Sequence, residues 1–223
     1  MFYSQKRKKL VIILGAGRCG STYLLGELNK IQGVNIFGEN YNLFSEITQA
    51  IYATRETIIK EKNGSEHRKR IVSGTEYTGF EWHNNSFKLR KILQYLENSI
   101  STYFNNKNIL NGFKEIRFQQ KKDIVSLQYF EEKYEVYYIH LTRDIHKQSR
   151  SGFWKKKYSQ VAEKEILNMN NNIESVLGNK KQYLKVDLEE ITNNIDVVIN
   201  FLEIENQKFF KKNFFSKLIM LMK

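Results

Sequence analysis

The chain has 223 residues, 41% of them hydrophobic and 27% charged, which is enough to bury one domain core and excludes a disordered or fibrous chain. Its formal charge of +12 is compatible with nucleic acid, an anionic membrane surface or small polyanions. The charge also fits mere compositional bias, since the chain is rich in Lys, Asn and Ile and has no proline, so it selects no function by itself. The single cysteine, Cys19, excludes an internal disulfide framework and fits a reducing compartment. No run approaches the roughly 20 apolar residues of a membrane span, and the basic start leads into an apolar run too short for a secretory signal. The expectation is a cytoplasmic protein.

In chain order, Lys9–Leu14 (KLVIIL) is a nearly continuous apolar run rich in β-branched residues, the pattern of a strand buried on both faces of a parallel sheet. Glycines follow, then Ser21–Ile31 has helical spacing. Val34–Phe37 reads as a second strand, 42–61 as a helix, 63–85 as an irregular polar segment, and Phe87–Phe104 as a helix. Asn108–Phe113 is a third strand and Lys122–Lys133 a helix. Glu135–Leu141 is the clearest later strand, followed by helices at Ile145–Trp154 and Ser159–Leu177. A strand at Gln182–Val186 and a helix at Leu188–Glu203 complete the pattern. Strands alternating with helices predict an α/β fold with right-handed crossovers and a sheet covered on both faces. No repeat or linker divides the chain, so one domain spanning 1–223 is expected.

Between the first strand and its helix lies Gly15-Ala16-Gly17-Arg18-Cys19-Gly20-Ser21-Thr22. Backbone N–H groups and the positive end of a helix dipole make such a turn an anion site. Three readings compete for the anion. Gly15, Gly17 and Gly20 satisfy the dinucleotide fingerprint G-x-G-x-x-G, and Glu39 falls about where its ribose-binding carboxylate belongs. Arg18 and the Ser21-Thr22 pair have no role in that fingerprint. Gly15 and Gly20 also carry the spacing of a nucleoside-triphosphate P-loop, but Ser21 stands where its lysine is needed.

The third reading uses all of these residues. Arg18-Cys19-Gly20-Ser21-Thr22 resembles the 5′-phosphosulfate loop of sulfotransferases that use 3′-phosphoadenosine 5′-phosphosulfate (PAPS). Tyr138–Trp154 (YIHLTRDIHKQSRSGFW) is similar to the 3′-phosphate motif of the same family: a strand ending in Arg143, an acid, and Ser151 eight positions after the arginine. Eight residues of unbroken helix would span about 12 Å, so the chain is expected to turn near Asp144–His146 before a helix that carries Ser151. Ile145 stands where family members often have proline. Gly112–Arg117 (GFKEIR) looks like a strand-end segment of bacterial and carbohydrate sulfotransferases, and the stretch from Lys185 to Leu202 is similar to the segment that closes the family core.

The resemblance implies a P-loop-like three-layer α/β/α fold with a central four- or five-stranded parallel sheet. It also implies transfer of a sulfuryl group from PAPS to a hydroxyl or amine of an acceptor, a glycan or glycolipid, with release of PAP and no metal required. Gly17, Arg18, Cys19, Gly20, Ser21 and Thr22 would hold the 5′ end of the donor, and Arg143 and Ser151 its 3′-phosphate. Arg18 would stabilise charge on the leaving oxygen.

Glu39, placed after the second strand, resembles the proposed base of several bacterial members, against the alternative of a helix-capping or surface acid. His83 is the alternative base and a candidate for acceptor binding. Lys114 and Arg117 are candidates for binding an anionic acceptor or the leaving group, or else surface ion-pair formers. The dipole at the loop would lower the pKa of Cys19, although a small residue is typical there and the thiol is read as incidental. Trp82 and Trp154 stack on adenine or sugar, or pack in the core. The tail from Lys208 mixes lysines with large apolar residues, which suggests peripheral contact with the inner membrane surface. It shows no clean amphipathic face, so packing onto the domain is an equal reading. The competing functions are an ATP-dependent small-molecule kinase and a basic nucleic-acid-binding domain.

Overall fold

The computed structural model describes residues 7–68, 82–104, 107–116 and 120–204. They group into two compact units, one drawn from the described residues of 7–42 and 107–204 and the other from those of 43–104.

The first unit is built on five parallel strands: β1 (Lys8–Leu14), β2 (Val34–Phe37), β3 (Leu110–Glu115), β4 (Tyr134–Thr142) and β5 (Tyr183–Asp187). Their order across the sheet is β2-β3-β1-β4-β5. β1 is central, and its residues Leu10 to Leu14 are all fully buried, as the unbroken apolar run predicts. β2 and β3 lie on one side of β1, and β4 and β5 on the other. The order reverses at β1, and open α/β sheets bind ligands outside the carboxyl ends of strands at such a switch point.

Alternate residues of the strands feed two cores. Val11, Ile13, Tyr137, Ile139 and Leu141 face α1 (Ser21–Leu28), α7 (Leu188–Asn193) and α8 (Asp196–Phe201) through Leu24, Leu28, Ile191, Val198 and Ile199. On the opposite face, Phe113 of β3 packs on Phe130, with ring centroids 5.6 Å apart. Phe130 belongs to a 3-10 segment, Leu127–Glu132, that continues from α4 (Lys121–Ser126). His140 of β4 lies within 3.2 Å of Asn170 on α6 (Ser159–Leu177). Helices on both faces of one parallel sheet make three layers, with the sheet at the upper of the two expected strand numbers.

Three expectations from the sequence need correction here. The helix predicted over Ile145–Trp154 is a five-residue helix, α5 (Ile145–Ser149), followed by a separate 3-10 segment, Gly152–Lys156. Ser151 is extended between them, and Gly152 has φ +58, so the chain bends where a continuous helix was expected. The helix predicted over Leu188–Glu203 is divided into α7 and α8, because Asn194 is extended and its side chain accepts the N–H of Asp196 at 3.1 Å. Lys122–Lys133 is α4 plus the 3-10 segment rather than one helix.

The second unit contains α2 (Leu43–Arg68) and α3 (Trp82–Tyr103). Helix therefore covers both ends of the 63–85 segment read as irregular; its middle, 69–81, lies outside the described residues. Arg55 of α2 pairs with Glu97 of α3 at 2.7 Å, and Phe44 stacks on Phe104 with centroids 5.5 Å apart.

Candidate active site

The β1–α1 turn is where the sequence placed an anion site, and its backbone suits one. Gly20 has φ +96 and precedes α1 without a side-chain cap bond of its own, and the N–H groups of an uncapped helix start favour an anion. A Cβ at Gly20 would approach Leu188 to 2.4 Å, so glycine is required here by conformation and by space. Arg18 is also left-handed, with φ 71, a conformation disfavoured for a non-glycine residue and characteristic of constrained sites.

A cleft of about 1090 Å³ opens over this turn. It is lined by Arg18, Gly20, Ser21 and Thr22 from the turn, Glu39 after β2, Lys114 on β3 and Arg143 after β4. The segment after α5 adds Phe153 and Trp154, and α6 adds Asn168 and Asn172. Three strand ends and one helix start thus converge on the carboxyl edge beside β1.

Two clusters stand out in the cleft. In the first, the nearly buried Lys114 donates from Nζ to Thr22 Oγ1 at 2.7 Å and pairs with Glu39 Oε1 at 3.1 Å. A buried ammonium needs such partners to offset its desolvation. The sequence offered Lys114 for an anionic acceptor or the leaving group; its burial and its bond to Thr22 place it at the start of α1. The competing reading of Lys114 as a surface ion-pair former fails on exposure, since Lys114 is buried and its pair with Glu39 lies in the cleft.

The second cluster joins the two sequence motifs. Arg18 Nε donates to Ser151 Oγ at 3.4 Å, and Arg143 Nη1 donates to the Arg18 carbonyl at 3.4 Å. The turn near Asp144 occurs as expected: Asp144 caps α5 by accepting the Lys147 N–H at 2.7 Å, and that bond holds its carboxyl below the usual range. The expectation that a helix would carry Ser151 fails, since α5 ends before it and Ser151 reaches Arg18 from the extended link.

Other candidates are packed in the core or lie outside the described residues. Cys19 is fully buried in the core against α1, and burial pushes its thiol up, opposite to the lowering a helix dipole would give. Its backbone N–H donates to the Ala16 carbonyl at 3.2 Å. Trp154 is nearly buried, packs with Ala16, Ala162 and Ile166, and donates to the Gly17 carbonyl at 2.7 Å, so core packing describes it better than stacking. Arg117, the side chains of His83 and Trp82, and the tail from Lys208 lie outside the described residues. The sequence reading missed Gln148, Phe153, Asn168 and Asn172. Their only signal was position within or after the second motif, which names no role for a carboxamide.

No family model matches the chain, and no curated protein matches it in sequence. Among solved structures, the fold is similar to the sulfotransferase domain of the Synechococcus PCC 7002 olefin synthase, with 17% identity over 90% of this chain and 75% of that one, at a TM-score of 0.53. Shikimate kinase from Acinetobacter baumannii, in complex with shikimate, also aligns, with 9% identity over 86% of this chain and 94% of that one, at a TM-score of 0.41. The chain therefore has the P-loop-like three-layer α/β/α fold, with a five-stranded parallel sheet, that it shares with a sulfotransferase domain.

Proposed function

We propose that the chain is a single-domain PAPS-dependent sulfotransferase that transfers a sulfuryl group to a hydroxyl or amine of a glycan or glycolipid acceptor and releases PAP. The observation that carries this reading is the meeting of the two motifs, since Arg143 and Ser151 both bond to Arg18, and Arg18 and Arg143 line one cleft. An ordinary nucleoside triphosphate needs one phosphate site, whereas a 3′,5′-bisphosphate needs two close together. The uncapped start of α1 and two guanidiniums beside it fit such a ligand.

The donor supplies a sulfuryl group already activated on a phosphate leaving group. In this reading Ser21, Thr22 and the N–H groups at the start of α1 grip the 5′-phosphate, and Arg143 and Ser151 grip the 3′-phosphate. The bond from sulfur to the phosphate oxygen breaks with its electron pair left on that oxygen, while a new bond forms from sulfur to the acceptor atom. Arg18 and Lys114 neutralise the charge that builds on the leaving oxygen. Glu39 takes the acceptor proton, its carboxylate oriented by Lys114 at 3.1 Å. The acceptor class and any membrane contact through the tail rest on family resemblance and composition. Among the described residues no helix is long and apolar enough to cross a membrane.

The test is calorimetric titration of the purified protein with PAP, ADP, ATP and NAD⁺, with and without Mg²⁺. Tight binding of PAP over the other three is expected. Preference for ATP with Mg²⁺, or for NAD⁺, overturns the assignment of the donor.

A further inference from the structure

The segment Arg143–Trp154 ties down successive carbonyls of the glycine turn. Gln148, fully buried on α5, donates from Nε2 to the carbonyls of Ala16 and Gly17, each at 2.9 Å. Trp154 Nε1 donates to the same Gly17 carbonyl at 2.7 Å. The other end of the amide does nothing comparable: Gln148 Oε1 is buried with no hydrogen-bond partner among the described residues. A buried acceptor left unpaired is costly, so an apolar side chain of the same length would suit this position better unless its two N–H donors were needed.

What they do follows from peptide geometry. Each peptide is planar, with its N–H opposite its C=O. Holding the Ala16 and Gly17 carbonyls against Gln148 turns the N–H groups of Gly17 and Arg18 to the other side. A glycine-containing turn is free to flip its peptides and present a carbonyl to an incoming anion, which would repel it. The two bonds from Gln148 oppose that flip, and they also fix the entry to Arg18, whose left-handed φ of 71 needs support from its surroundings.

We propose that Gln148 is a positioning residue that locks the 16–17 and 17–18 peptides in the orientation the anion site requires. It acts through the loop backbone and does not itself touch the ligand. The proposal rests on the reading of the turn as an anion site, whichever nucleotide supplies the anion.

The test substitutes Gln148→Met, which keeps length and apolar volume while removing both donors. Amide hydrogen exchange in the ligand-free protein should speed up across residues 15–20 and stay unchanged in β1 and β4. The Kd for PAP should rise about tenfold, the scale of one net hydrogen bond. Donor KM should rise in proportion while acceptor KM is unaffected, a split that a core-filling role would not produce. Gln148→Glu, which sets carboxylate oxygens against two carbonyls, should lose more affinity than Gln148→Met.

Unchanged loop exchange together with unchanged Kd overturns the proposal. If Gln148→Met does not fold, Trp154→Phe carries the test, because it removes one bond to the Gly17 carbonyl and keeps an aromatic ring in place; an unchanged Kd then overturns it. If the wild-type protein prefers ATP to PAP, the donor assignment falls while the same comparison, made with ATP, still decides the role of Gln148. Binding of none of the nucleotides overturns both.

Discussion

One ammonium links the two halves of the proposed chemistry: Lys114 holds Thr22 at the start of α1 and Glu39 after β2. This arrangement makes Glu39 testable without losing the fold. Glu39→Gln removes the negative charge and the basic oxygen but keeps an amide oxygen that accepts from Lys114. Calorimetry should find PAP affinity retained, while turnover falls by about 10²–10⁴, the usual contribution of a positioned base. Turnover equal to wild type removes Glu39 from the mechanism. Arg143 is tested by a difference between ligands. Among the described residues its guanidinium donates one long bond, 3.4 Å to the Arg18 carbonyl, which leaves most of its hydrogen-bonding capacity for a phosphate. Arg143→Ala should cost about 2 kcal/mol of PAP affinity, roughly thirtyfold in Kd, the scale of a charge-assisted bond. AMP, which has no 3′-phosphate, should lose far less. Equal losses for PAP and AMP sink the assignment.

At the scale of elements, the site depends on a helix that stops early. α5 ends at Ser149, and the positive φ of Gly152 turns the chain so that Ser151 faces Arg18. A Cβ at Gly152 would approach Arg18 Nε to 2.6 Å. Gly152→Ala should therefore cost about 1 kcal/mol of stability for the left-handed backbone. It should also weaken PAP binding by displacing the flexible Arg18 side chain. The urea midpoint and a PAP titration measure the two effects separately; a stability loss with unchanged PAP affinity removes Arg18 from the ligand site.

The same segment shows what was legible in the sequence. β1, β2 and α6 were readable because their apolar periods are uninterrupted and nothing tertiary competes with them. The turn after β1 was readable as a candidate anion site because glycines, an arginine and two hydroxyls have few joint uses. The break after α5 was not, since Arg150-Ser151-Gly152 lies within a plausible helical period and only contact with Arg18 decides it. Gln148 was invisible for a similar reason: its partners, Ala16 and Gly17, lie far away in sequence and offer backbone carbonyls, which carry no side-chain signature.

At the scale of the whole molecule, the layers are joined by a polar contact as well as by apolar packing. His140, fully buried in β4, lies 2.7 Å from Tyr183 Oη on β5 and 3.2 Å from Asn170 Oδ1 on α6, so one imidazole links the sheet to the helical layer. Burial holds its pKa below the ordinary value of 6.5, with Lys185 adding in the same direction against a bond to Asn170 and the charge of Glu174. The folded protein therefore keeps this histidine neutral where the unfolded chain begins to protonate it. Below the unfolded value the unfolded state binds more protons, so stability falls as pH falls. The contribution is fully present above about pH 6.5 and is lost as pH drops from there toward the lower folded value. His140→Gln keeps a donor and an acceptor for Tyr183 and Asn170 but does not titrate. Its Tm should lie below that of wild type at pH 7.5, and the gap should narrow as pH is lowered toward 5. Parallel Tm profiles for the two proteins would mean that His140 titrates alike in the folded and unfolded states and contributes nothing to the acid sensitivity of the fold.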